Sequence, residues 1–380
     1  MRIAQLAPLA ESVPPKLYGG TERVVAWLIE ELITLGHEVT LFASGDSGTR
    51  AKLVPVWPKA LRLGQPQCDP AVAHVALLDE VAKRAVEFDL IHSHLDWIHL
   101  PLLSRLRVPF VTTLHGRLDL PGLAEVARRF PRAPFVSISN DQRSPLSEAN
   151  WAGTIYHGLP ASALQPSLQQ GKYLAFLGRL CPDKGPEAAI RIARATGMPL
   201  RIAAKIPRTE ATYFKEQLAP LIDGDRVQLI GEVNDEAKQE FLSGAAALLF
   251  PVQWPEPFGL VMIEAMACGT PVIAFRAGST PEVIDHGVTG FVVSDEAEAV
   301  QALGRLGELS RREVRAQFER RFTASRMAKD YLRHYHMLTR ANAPKRAPRH
   351  ILRADTPPPH PLARSGKAAP DSADRVAPSP

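Results

Sequence analysis

The sequence predicts an α/β protein built from two doubly wound halves, and three observations lead there. The chain has 380 residues, more than one hydrophobic core usually supports, so two domains of ordinary size are expected. Hydrophobic residues at 45% and charged residues at 22% mark a soluble globular chain rather than a disordered one or a coiled coil. Short apolar runs alternate with stretches of helical period, which is the mark of βαβ units and a parallel sheet.

In chain order, Arg2–Leu6 reads as a strand, Thr21–Leu35 as a helix and Glu38–Ala43 as a strand. Asp89–His92, Phe110–Leu114 and Phe135–Ile138 follow as short β-rich runs separated by helical segments. The alternation stops at Leu159–Gly171, where two prolines and polar residues suggest a linker. It then restarts with strands at Tyr173–Leu177, Leu200–Ala204, Val227–Ile230, Ala247–Phe250, Val272–Phe275 and Gly290–Val293. Helices are expected at Pro186–Thr196, Asp235–Ser243 and Leu260–Cys268, with a last one at Ala324–Thr339. The domains are therefore drawn at 1–160 and 172–322, both Rossmann-like, with the last helix, about 324–340, packing back on the first. In such sheets ligands bind beyond the carboxyl ends of the strands, so two facing halves make an interdomain cleft.

Composition removes several function classes. No stretch approaches the roughly eighteen apolar residues of a membrane span, and MRIAQLAPLA lacks the h-region of a secretory signal. Cys68, Cys181 and Cys268 are scattered and form neither a disulfide framework nor a zinc site, which suits a reducing cytoplasm. The net charge of +5 belongs mostly to residues 341–380, with seven Lys/Arg against three Asp/Glu and nine of the 34 prolines. That segment has the composition of a disordered tail. The rest is near neutral and gives no case for nucleic-acid binding.

Chemistry is expected in the loops after the strands. Tyr18-Gly19-Gly20-Thr21-Glu22 opens a helix with paired glycines, which let backbone N–H groups approach an anion. The same residues also make a plain loop with Thr21 as N-cap, and this is not the G-x-G-x-x-G of a dinucleotide fold. Gly178-Arg179-Leu180-Cys181-Pro182-Asp183-Lys184-Gly185 sets two cations at the mouth of a strand, which suits a diphosphate without a metal; the alternative is a solvated loop paired to Asp183. Glu256 lies in a proline-flanked loop and Glu264 in the apolar helix after it. Eight residues of helix span ~12 Å, comparable to an extended nucleotide-sugar. A carboxylate in an apolar helix needs a partner or a ligand, so Glu264 binds a ligand or, as the plain alternative, pairs with an unseen Arg or caps a neighbouring element. For Glu256 the plain alternative is a carboxylate at a helix N-terminus.

With these residues in place, the chain resembles the family-four retaining glycosyltransferases of the GT-B fold, the glycosyl transferases group 1. The likeness covers about residues 1–340. It rests on Tyr18–Glu22, His92-Ser93-His94, Thr113-Leu114-His115-Gly116, Gly178–Gly185, the run from Glu256 to Ala274, Pro281-Glu282-Val283-Ile284 and Gly287–Phe291. The resemblance implies that Arg179 and Lys184 bind the donor diphosphate, and that Gly19 and Gly20 touch the same phosphates. It implies that Glu264 holds the ribose hydroxyls, while Glu256 lies beside the transferred sugar, with backbone amides near Phe258, Gly259 and Leu260 on its hydroxyls. His115 is placed beside the sugar ring; a core histidine satisfied by backbone is the alternative. His157-Gly158-Leu159-Pro160 and Gly278-Ser279-Thr280-Pro281-Glu282 depart from the family pattern, which has Asn-Gly in the first and Gly-Gly before Pro-Glu in the second.

The implied activity is metal-independent, retaining transfer of a hexosyl group from a nucleoside-diphosphate sugar to a hydroxyl acceptor, without a cofactor. The setting is cytoplasmic carbohydrate biosynthesis, with at most weak peripheral contact with the inner face of the membrane. A sugar phosphorylase, a sugar-nucleotide epimerase or a non-catalytic sugar-nucleotide-binding protein are the rival readings. Asp223-Gly224-Asp225, Gly45-Asp46-Ser47-Gly48, the trio His92, His94 and His99, and the cluster Arg128, Arg129 and Arg132 are read as turn, loop, core or cleft lining, and solvated surface respectively.

Overall fold

A computed structural model describes residues 1–342, apart from Leu17, Tyr18, Leu63, Pro66 and Gln67. Tyr18 and the tail from residue 343 onward, both included in the expectations above, lie outside the described residues. The first half carries β1 (Arg2–Leu6), β2 (Glu38–Ser44), β3 (Lys52–Trp57), β4 (Leu90–Ser93), β5 (Phe110–Thr113), β6 (Phe135–Ser137) and β7 (Trp151–Thr154). They form one parallel sheet in the order β3-β2-β1-β4-β5-β6-β7. The second half carries β8 (Tyr173–Arg179), β9 (Leu200–Lys205), β10 (Val227–Gly231), β11 (Ala245–Phe250), β12 (Val272–Phe275) and β13 (Gly290–Val293). Their order is β10-β9-β8-β11-β12-β13, also parallel.

In each sheet the first strand has its sequence successor on one side and a later strand on the other. This is the topological switch point at which ligands enter doubly wound sheets. The loops leaving β1 and β8 are the two glycine-bearing loops singled out in the sequence. Strands β1, β4 and β11 are buried along almost their whole length, as parallel strands covered on both faces must be. Two edge strands escape the sequence reading: β3 carries Pro55, tolerable only at an edge, and β7 is four residues of weak pattern.

The helix Ala324–Asn342 sets Ala324, Met327, Ala328, Tyr331 and Tyr335 on one fully buried stripe. Most of that stripe packs in the core of the first half, with Ile3, Val24, Leu28 and Val111. The chain therefore crosses between the halves twice, and the two crossings meet. Leu159 N–H donates to the Phe322 carbonyl at 3.0 Å and Ala324 N–H to the Leu159 carbonyl at 2.9 Å. Any Cβ on Gly158 would run into the Thr323 carbonyl, so the crossing demands glycine there. The linker after it is tied down: Arg315 donates to the carbonyls of Ala161, Leu164 and Ala267, and Arg311 to that of Ser167. Among the described residues no helix is long and apolar enough to cross a membrane.

Candidate active site

The carboxyl ends of the two sheets enclose a cleft of about 830 Å³. Gly19, Gly20, His115, Arg179, Lys184, Glu256, Phe258, Gly259, Leu260 and Glu264, every described candidate from the sequence, line it.

From the first half comes the loop after β1. Its helix starts at Gly20 with Gly19 in the N-cap position, so Thr21 is not the cap, and no side chain caps it. Leu260 of the second half lies 3.5 Å from where a Gly20 Cβ would be, so the two helix starts nearly touch across the cleft. Glu22, in the first helical turn, is buried, and burial raises its carboxyl above the ordinary range.

His115 follows β5, on a loop whose Leu114 and Gly116 carbonyls accept from Gln142 Nε2 at 3.0 and 2.7 Å. Its ring stacks on His157 at 5.2 Å, and His157 in turn meets the edge of Phe258 at 4.9 Å. His115 Nε2 lies 2.8 Å from His94 Nδ1, and His94 Nε2 lies 2.9 Å from Gln5 Oε1. Gln5 Oε1 only accepts, so His94 carries its proton on Nε2 and its Nδ1 takes the proton of His115 Nε2–H. His115 Nδ1 is left as a buried bare acceptor with no protein partner. The relay runs deeper: Gln5 Nε2 donates to Tyr335 Oη at 3.3 Å, and Tyr335 Oη lies 2.7 Å from His92 Nδ1. His92 Nε2 meets Thr113 Oγ1 at 2.7 Å. Burial holds these rings neutral, pulling His115 down to about 3 and His92, His94 and His157 well below the usual range.

The second half supplies Arg179, Lys184, Glu256 and Glu264, beside Lys16, Glu22, Arg23 and Arg62 of the first half. The turn Pro182–Lys184 docks on the loop after β11, where Gln253 N–H donates to the Asp183 carbonyl at 2.8 Å. That docking delivers Lys184 to Glu256, with which it forms an ion pair, and to the Trp254 ring at 5.2 Å. The pair sought for Asp183 does not form. Gly278, at φ 55, lies against the Glu256 backbone, where a side chain would clash with both N and O. Ser279 N–H donates to the Glu256 carbonyl and Ser279 Oγ to the Phe258 carbonyl, both at 2.9 Å. The departure from Gly-Gly at 278–279 thus has a structural use: the serine braces the loop that presents Glu256.

Glu264 finds its partner in Lys238, at 2.8 Å, rather than an arginine. Burial depresses the Lys238 ammonium, but the Glu264 charge more than offsets this and leaves its pKa raised. Lys238 also lies 3.4 Å from Asp235, which pairs at 2.7 Å with Arg23 of the first half, so one ionic chain spans the cleft. Glu282 makes a second tie between the halves, accepting from the backbone N–H groups of Asn140 and Asp141, both at 2.7 Å, and from Tyr156 Oη at 2.8 Å.

Sequence reasoning did not find Lys205, Lys238, Gln5 or Trp254. Lys205 ends β9 and was within reach of the rule that chemistry sits at strand ends. The others depend on tertiary neighbours. Glu232 and Val233, which follow β10, also line the cleft. The decoys stay decoys: Asp223 Oδ1 caps a turn through Asp225 and Val227 N–H, Ser47 Oγ accepts from Val13 N–H, and Arg128 and Arg129 pair with Glu125. His99 is core, bonded to Thr112 at 2.6 Å.

Two families match in succession: Glycosyltransferase Family 4 over residues 18–147 and Glycosyl transferases group 1 over residues 165–321. The spore coat protein SA of Bacillus subtilis is 25% identical, across 84% of this chain and 96% of its own length. The D-inositol 3-phosphate glycosyltransferase of Mycolicibacterium smegmatis is 26% identical, across 72% and 75%. Among solved structures, AviGT4, a glycosyltransferase involved in avilamycin A biosynthesis, superposes with a TM-score of 0.69 at 26% identity, covering 90% of this chain and 98% of that one. HepE of Anabaena, solved with UDP and glucose, gives 0.68 at 21% identity, covering 89% and 100%.

Proposed function

Because the chain belongs to the group 1 glycosyltransferases, family 4, with the GT-B fold, we propose that it moves a sugar from a nucleoside-diphosphate sugar to a hydroxyl acceptor with retention of configuration, needing neither metal nor cofactor. The second half takes the donor and the first half takes the acceptor, in the cytoplasm. The observation that carries this reading is the single cleft in which Arg179, Lys184, Glu256, Glu264 and His115 converge from separate loops. HepE, which shares the fold, holds UDP and glucose.

On this reading the nucleotide ribose lies at Glu264 and the diphosphate at Arg179 and Lys184. The sugar lies between Glu256 and His115, where the bare Nδ1 accepts from a sugar hydroxyl. The bond from the anomeric carbon to the phosphate oxygen breaks, and the bond to the acceptor oxygen forms on the same face. The acceptor proton passes to the departing phosphate. That route suits this cleft, because Glu256 and Glu264 are held by lysines and its histidines are neutral, while cations are present to stabilise the charge growing on the phosphate.

The test is nucleoside-diphosphate release from UDP-, GDP-, ADP- and dTDP-sugars, with simple acceptor mixtures, for the wild type, Lys184→Ala and Glu264→Ala. Release from one donor, reduced at least about 100-fold in both variants, is expected. An α-linked product from an α-linked donor, read by NMR, checks retention. Phosphate-dependent release of a sugar 1-phosphate would instead favour the phosphorylase reading.

A further inference from the structure

Seven lysines and arginines line the cleft, and their pairings are unequal. Lys184, Lys238 and Arg23 are in the ion pairs described above. Arg62 is paired with Glu11 at 2.6 Å, and Lys16 lies 3.9 Å from Asp46. Arg179 and Lys205 remain. Among the described residues neither has an ion-pair partner, and Arg179 Nε is buried with no hydrogen-bond acceptor.

These two cations are neighbours. Arg179 stands opposite Lys205 in the parallel ladder of β8 and β9, so their side chains leave the sheet on the same face, beside the switch point. Two adjacent like charges, neither held in a direct ion pair, repel and are costly to desolvate, which favours an anion between them. Glu11 is the carboxylate whose charge reaches Lys205, but it is bonded to Arg62 at 2.6 Å and makes no ion pair with Lys205. The diphosphate of a sugar nucleotide carries two negative charges about one strand spacing apart, and a strongly charge-assisted contact to each requires two such cations.

We propose that Lys205, beside Arg179, is a donor-binding residue that holds the diphosphate. This rests on the nucleotide-sugar reading of the cleft. The two charges of the bound donor are met by Arg179 and Lys205. Lys184, its charge shared with Glu256, contacts the diphosphate from the sugar side, and answers the additional charge that appears when the glycosidic bond breaks.

The experiment is calorimetric titration of the full chain with UDP, GDP, ADP and dTDP, with the matching nucleosides, and with inorganic pyrophosphate. It is run on the wild type, Lys205→Gln and Lys205→Arg. Lys205→Gln is expected to weaken the preferred diphosphate and pyrophosphate by about 10-fold or more, the scale of one charge-assisted hydrogen bond. Nucleoside affinity stays unchanged, and Lys205→Arg restores most of the loss. Wild-type affinity for diphosphate and pyrophosphate in Lys205→Gln overturns the proposal, as does an equal loss of nucleoside binding. Pyrophosphate binding by the wild type without any nucleoside diphosphate binding removes the donor reading alone, and pyrophosphate then decides the role of Lys205. A wild type that binds neither removes both.

Discussion

The two walls of the cleft are built from opposite chemistry. At the ends of β4 and β5 the first half presents neutral histidines, His115 bonded to His94 and His94 linked through Gln5 and Tyr335 to His92. Around the ends of β8, β9 and β11 the second half presents cations and carboxylates, four of them in two buried ion pairs. The difference follows from what each wall must meet. A neutral relay fixes which ring nitrogen accepts, and so suits a hydroxyl. Paired and unpaired charges suit an anion, because part of their field is left over for it.

The sharpest way to break the comparison is to remove one partner from each wall and compare the costs. On the charged side, Lys238→Met leaves Glu264, only 7% exposed, as an uncompensated buried carboxylate. The expected loss of unfolding free energy is about 3–5 kcal/mol, the usual result of stripping one member from a buried pair. Adding Glu264→Leu recovers most of it, since two apolar side chains of similar size carry no stranded charge. Urea denaturation of the two variants beside the wild type measures both numbers. A single variant as stable as the wild type would mean that Glu264 simply takes up a proton at no cost.

The two walls were not equally legible in the sequence. Glu256, Glu264, Arg179 and Lys184 lie in contiguous motifs, so their presence near one another along the chain was readable. Their partners were not, because Lys238 reaches Glu264 from another helix and Lys184 reaches Glu256 across 72 residues. The neutral wall was harder. His115 was identifiable through its motif, but Gln5 reads as an ordinary strand residue, and Tyr335 lies 330 residues away from it. The central strands were visible as apolar runs, whereas β3 with Pro55 and the short β7 were not, because edge strands need neither continuous burial nor every ladder N–H.

Acid should undo the neutral wall. Burial pulls His99 down to about 3 and His92, His94 and His157 in the same direction, against about 6.5 in an unfolded chain. Between those values the unfolded chain binds protons that the folded one refuses, so stability falls as pH drops below about 6.5 and is flat with respect to these groups above it. The slope is about 1.4 kcal/mol per pH unit for each such histidine. Glu11 and Glu22, raised by burial, act in the opposite sense and offset part of it. Urea midpoints measured from pH 7.5 to pH 5 should decline. His99→Gln, which keeps a polar partner for Thr112 but cannot titrate, should decline less. An unchanged midpoint over that range would show that the rings take up protons as readily in the folded state as in the unfolded one.

The smallest effect expected is the one that probes the relay itself. Tyr335→Phe keeps a fully buried ring of nearly the same shape and removes only the hydroxyl joining Gln5 to His92. Two neutral groups lose a partner, at a cost of about 1–3 kcal/mol, below that of stranding the Glu264 charge. A second readout separates this from packing damage. With the anchor at Tyr335 gone, the Gln5 amide is free to turn its Nε2 toward His94, which reverses the proton order of the chain and places N–H rather than a bare nitrogen at His115 Nδ1. Imidazole 15N shifts report that exchange directly, as a move of the His115 Nδ1 signal from the unprotonated toward the protonated range. If the shift stays while stability falls, Tyr335 supports the fold but does not set the tautomer. If the cost equals that of Lys238→Met, the two walls do not differ in what holds them.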